Sequence, residues 1–98
     1  MAKRIRSQHP EIYADFNGRF NENGYLPVHG TDLSLAKLGL TRETALGRPF
    51  VFVMDDEDAN GNPDDLMCNG TFVRDEAYGI LLEADGTGFY WRSELTDG

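Results

Sequence analysis

A chain of 98 residues, 40% of them hydrophobic and 11% aromatic, can bury one core and not two, so it is one small domain. Its net charge of -8 is lopsided: residues 1–54 carry seven bases against five acids, residues 55–98 two against twelve. A carboxyl half this acidic excludes nucleic acid as a direct ligand and argues against an anionic membrane surface, since both are bound by neutralising phosphate with Lys and Arg.

Cys68 is the one cysteine, so no internal disulfide, Cys-based zinc site or redox pair can form within a chain, which suits a reducing compartment. The basic start, Met1 to Arg6, has no apolar run behind it, and no stretch approaches membrane-spanning length. The expectation is a cytoplasmic protein. Eleven glycines against four prolines point to many turns between short elements, and hence to a mainly β fold.

In chain order, residues 1–10 are basic, poor in core formers and closed by Pro10, and read as a flexible arm. Residues 11–95 form a single β-rich domain and 96–98 a tail. Ile12, Ala14 and Phe16 alternate with polar or exposed positions, predicting a strand that runs through a bulge near Gly18 to a hairpin at Asn23-Gly24. Pro27 makes the returning strand an edge strand. Thr31 or Asp32 caps a short helix, Leu33 to Leu38, with Leu35 and Leu38 on one face and Gly39 as its stop. Thr41 caps a second segment, Arg42 to Leu46, ended by Gly47.

Phe50 to Met54 is apolar, β-branched and aromatic, too short for a self-burying helix, and predicts a central strand. Leu66 to Val73 is a strand bent at Asn69-Gly70, followed by a turn at Asp75-Glu76. Tyr78 to Ala84 alternates as a strand should, and Asp85-Gly86 carries the strongest hairpin signal in the chain. In the strand that follows, Phe89 and Trp91 point inward while Tyr90 and Arg92 point outward. Five or six short strands with no parallel crossover pattern predict a small bent antiparallel sheet, for which an SH3-like barrel is the economical closure.

The segment Asp55 to Asp65 holds six acids and no base, with Asn-Gly and Asn-Pro pairs that demand a loop. Asp56, Asp58, Asn60 and Gly61 stand in D-x-D-x-N-G order. This resembles the start of an EF-hand calcium loop, whose alternate residues aim oxygens at one cation. The resemblance implies a carbonyl ligand at Asn62 and a ligand at Asp64, with Asp55, Asp65 or Asp75 completing the set. It ends there: Met67 stands where the bidentate Glu belongs, Pro63 replaces an apolar β-branched residue, and the flanks read as strands.

Other chemistry is thinly signalled. His9 and His29 lie outside metal-ligand spacing, and Cys68 has no basic sequence neighbour to form a thiolate. Ser34 and Ser93 lack a nucleophile elbow, and no Gly-rich phosphate loop is present. Tyr90 and Arg92 are residue types that interface hot spots favour, so they are the expected partner-binding pair. Three functions follow as expectations: a non-catalytic module that binds a protein partner, itself basic, through an acidic face; a calcium-binding domain using residues 56–64; and an accessory subunit that completes another chain's active site.

Overall fold

The computed structural model describes residues 4–96. It is mainly β: β1 (Arg4–Ile5), β2 (Glu11–Tyr13), β3 (Gly24–Tyr25), β4 (Pro49–Met54), β5 (Leu66–Asp75), β6 (Gly79–Trp91) and β7 (Leu95–Thr96). Two helices, α1 (His29–Lys37) and α2 (Arg42–Ala45), separate β3 from β4, and a 3-10 turn, Arg92–Glu94, precedes β7. Five strands form one sheet in the order β2-β4-β5-β6-β3, while β1 and β7 pair with each other.

The sheet is mixed and not antiparallel throughout. Glu11, Ile12 and Tyr13 of β2 run parallel to Val51, Phe52 and Val53 of β4. The two helices between β3 and β4 supply the crossover that a parallel pair requires. Among the described residues no ladder joins β2 to β3, so the sheet does not close into the ring of an SH3-like barrel. The expected basic arm is also partly ordered: Arg4 and Ile5 lie beside Leu95 and Thr96 in a parallel pair, and the Arg6 N–H donates to Thr96 O at 2.8 Å. Residues 1–3 of that arm and residues 97–98 of the tail lie outside the described residues.

Strand β4 is apolar along its length because both of its faces are covered. Phe50 and Phe52 join Ile12, Phe72, Ile80 and Leu82 in the main core, to which the helices contribute Leu35 and Ala45. Val51 faces the other way, into a smaller cluster with Met67 and Tyr90, backed by Val53 and Leu95. Phe50, Phe52 and Phe72 are at most 2% exposed, and each contributes about 1.5–3 kcal/mol through burial alone.

Helix α1 begins four residues earlier than Leu33. Val28 is its cap position, and Thr31 lies inside, fully buried, with its Oγ1 accepting the Val28 N–H at 3.2 Å. Thr31 therefore supplies the returning half of a capping box instead of starting the helix. Its end is as expected: Gly39 takes φ +74°, Gly39 N–H reaches Ala36 O, and Leu40 N–H reaches Leu35 O. Leu35 is buried, but Leu38 is 44% exposed, so the shared apolar face is not used. Thr41 caps α2, accepting the Thr44 N–H at 3.2 Å while Thr44 Oγ1 accepts the Thr41 N–H at 2.8 Å.

The early hairpin is present at the predicted place, with Phe20 N–H bonded to Gly24 O and Arg19 opposite Tyr25. The strand leading into it does not bulge through Gly18 but stops at Tyr13, and a turn closed by Gly18 N–H to Asp15 O follows.

The largest departure is at Asp85-Gly86. No reversal occurs there: both Gly79–Ala84 and Phe89–Trp91 run antiparallel to β5 as one strand. Ala84 faces Gly70 and Phe89 faces Cys68, so residues 85–88 loop out opposite Asn69 alone. Asp85 Oδ1 accepts both the N–H and the hydroxyl of Thr87, which braces the excursion. Its surplus of three residues is odd, so side-chain alternation inverts across it. Phe89 consequently joins the face of Ile80 and Leu82, where its ring meets Phe16 at 5.0 Å, and Tyr90 turns into the opposite cluster.

Candidate functional site

The acidic segment folds as a small hairpin carried between β4 and β5. Asp64 N–H bonds Asp56 O, Asp58 N–H bonds Asn62 O, and Gly61 N–H bonds Asp58 O, with Gly61 at φ +80° in the turn. Residues 55–63 are exposed and Asp64 and Asp65 half-buried. The hairpin is tied to the 3-10 turn through Asp64, whose two carboxylate oxygens accept the Ser93 N–H at 3.0 Å and the Ser93 hydroxyl at 2.6 Å.

The ligand set implied by the D-x-D-x-N-G order is not assembled. Asp58 Oδ1 accepts the Asn60 N–H at 2.8 Å and the Asn62 N–H at 3.0 Å, and these two donors, Asn62 first, hold its carboxyl below the usual carboxylate range. Asp56 Oδ1 accepts the Glu57 N–H, and Asp64 is engaged with Ser93. Among the described residues no three His, Cys, Asp or Glu side chains converge on a point that could hold a metal ion. A hard cation takes six or more oxygens, and here Asp56, Asp58 and Asp64 are turned to the backbone and to Ser93, with Asn60 and Asn62 entering through their N–H groups. Raising calcium from zero to millimolar, with chelator as control, is expected to leave the melting temperature within about 1 °C. A site filled a hundredfold above its Kd would instead add about 2.7 kcal/mol and several degrees.

Tyr90 and Arg92 are not the outward pair that strand alternation suggested. Tyr90 is 4% exposed because the side it points to is covered as well, by Val51, Met67, Val53 and Leu95; its hydroxyl donates to Asn69 Oδ1 and the Arg4 guanidinium lies 4.7 Å from its ring centroid. Arg92 begins the 3-10 turn and is spent within the molecule. Its Nε donates to Asp65 at 2.8 Å and its two terminal nitrogens grip Glu11 at 2.7 and 3.1 Å. Those bonds, to Glu11 first and then Asp65, keep the guanidinium more firmly protonated than usual. Arg92 thus joins β2, the foot of the acidic hairpin and the C-terminal turn.

Cys68 is buried, and desolvation pushes its thiol up to about 11. At pH 8 the native thiol is expected to stay unlabelled by an aromatic disulfide reagent over minutes and to react fully once urea unfolds the chain. Rapid labelling of the folded protein would refute this placement. His9 and His29 are both exposed.

What sequence reasoning missed is the surface beside the acidic hairpin. Trp91 at the end of β6, with Ser93 and Glu94 of the 3-10 turn, lines an open cleft of about 340 Å³ together with Glu57, Asp58, Ala59 and Asp64. The Asp64–Ser93 bonds, the Arg92–Asp65 contacts and the Leu66–Trp91 ladder pair bring these segments together, and pairings over that sequence distance leave no local signal. Compared with protein-family models, with curated proteins and with solved structures, the chain matches none.

Proposed function

We propose that this chain is a small, non-catalytic module that binds a basic protein partner through its acidic hairpin, in a reducing compartment such as the cytoplasm. One observation carries the reading. Asp55, Asp56, Glu57 and Asp58 are four consecutive exposed carboxylates. The ion pairs Arg42–Asp32, Arg74–Glu43, Arg92–Glu11 and Arg92–Asp65 use none of them. Charge left so concentrated steers cationic surfaces into encounter and sets their orientation. The burial of the lone thiol agrees with it.

The test is retention of partners from lysate by the immobilised chain at ~50 mM and ~300 mM salt, where the Debye length shrinks from about 14 to about 6 Å. Wild type is expected to retain basic proteins at the lower salt and release them at the higher. A chain carrying D55N, D56N, E57Q and D58N is expected to retain none of them. Partners held equally at both salts, or equally by both chains, would overturn the electrostatic reading.

A further inference from the structure

The cleft beside the hairpin combines one aromatic residue with several acids. It is lined by the half-buried Trp91, by Ala59 and by the acids Glu57, Asp58, Asp64 and Glu94. No Lys or Arg lines it among the described residues. Asp64 accepting from Ser93 ties its two sides together, and within the C-terminal side Glu94 Oε1 accepts the Trp91 backbone N–H at 3.1 Å. The nearest arginine in sequence, Arg92, is held by Asp65 and Glu11 and lines a neighbouring depression instead.

We propose that this cleft receives one arginine side chain of the basic partner, stacked on Trp91 and bonded to the cleft's carboxylates. An aromatic face attracts a cation through its quadrupole, and most strongly when the face is indole. Carboxylates around that face select a cation that offers several donors in one plane. Arginine fits both demands: its guanidinium is flat, stacks on aromatic rings, presents five N–H donors and sheds water more readily than the compact ammonium of lysine. The inference rests on the acidic-hairpin reading and adds to it the residue that is recognised and the surface that recognises it.

Trp91 is the only tryptophan, so its emission reports on this cleft directly. The experiment titrates the full chain at low ionic strength with hexa-arginine and, separately, with hexa-lysine, following tryptophan emission and measuring affinity by calorimetry. The expected results are a saturable change in emission, an affinity for hexa-arginine about fivefold or more above that for hexa-lysine, and about a tenfold loss of hexa-arginine affinity in W91L. Circular dichroism of W91L establishes that it is folded; if it is not, the emission change and the arginine-to-lysine ratio of the wild type decide alone. Hexa-arginine that binds with unmoved emission, with equal affinity to hexa-lysine, or undiminished by W91L overturns the cleft while leaving the acidic hairpin as the binding element. Absence of any binding by either peptide overturns both readings.

Discussion

Phe72→Ala is expected to lower the free energy of unfolding by about 3–5 kcal/mol, the usual cost of emptying a buried aromatic site. Phe72 is fully buried in the middle of β5, and it meets Phe50 edge-on at 5.4 Å and Phe52 edge-on at 5.9 Å. Those two rings belong to the neighbouring strand and pack against the helices through Leu35 and Ala45. Leu46, just after α2, bridges to Phe72, and the Gly47 N–H donates to Phe72 O. Removing the ring therefore leaves a void bordered by sheet and helices, and neither can collapse into it without breaking backbone bonds. Domains of this size hold about 5–15 kcal/mol in total, so the variant should sit near the edge of folding. Urea denaturation at 25 °C measures the loss, and a change below about 1 kcal/mol would show that Phe72 is not the keystone described.

Gly70→Ala is the second large effect, by the opposite mechanism. A Cβ built on Gly70 would lie 2.1 Å from the carbonyl oxygen of Glu83 and 2.7 Å from the Phe52 ring. The first obstacle is the backbone of the paired strand, which cannot rotate aside as a flexible side chain can. Either β5 and β6 separate at the register shift or Phe52 leaves its rotamer, and we expect a loss of about 3 kcal/mol or more, at the upper end of overpacking costs. Gly18→Ala is the control. There the new Cβ would meet Asp15 O at 3.5 Å, an ordinary contact, and the expected change is within about 0.5 kcal/mol. Equal effects at the two positions would mean that the close approach at Gly70 does not govern this part of the sheet.

Features whose cause is local were legible in the sequence. Phe50 to Met54 could only be a central strand, and Thr41 and Gly39 marked helix ends by their own hydrogen bonds and φ. Asn69-Gly70 marked the place of the register shift but not its side, since β5 runs unbroken along β4 and the extra residues are in β6. Features decided by distant partners were not. Glu11 to Tyr13 reads the same whether its neighbour runs parallel or antiparallel, and only the helices placed between β3 and β4 settle the direction. Asp85-Gly86 has turn chemistry, yet turn chemistry serves a strand excursion as well as a hairpin, because Asp85 can brace Thr87 in either. Phe89 lies on the side of Ile80 and Leu82 as expected, although 42% exposed, and Tyr90 on the other; Tyr90 was misplaced as a contact residue because that other side is covered too, by Val51, Met67, Val53 and Leu95. The other, Arg92, was misread because its partners Glu11 and Asp65 are far away in the chain. Of the candidate site, the acidic hairpin was visible from its composition, whereas Trp91 and Glu94 reach it only through tertiary folding.

The parallel pair of β1 and β7 couples opposite ends of the chain. Joining them encloses nearly every other residue in a single loop, so this ladder is entropically the most expensive to form for the few bonds it returns. It should assemble after the local β5–β6 hairpin has zipped, and its amides should be among the earliest to exchange with deuterium under native conditions. Each such opening would lift Arg4 from the Tyr90 ring, so that the small cluster of Val51, Met67 and Tyr90 is wetted transiently while the larger core stays dry.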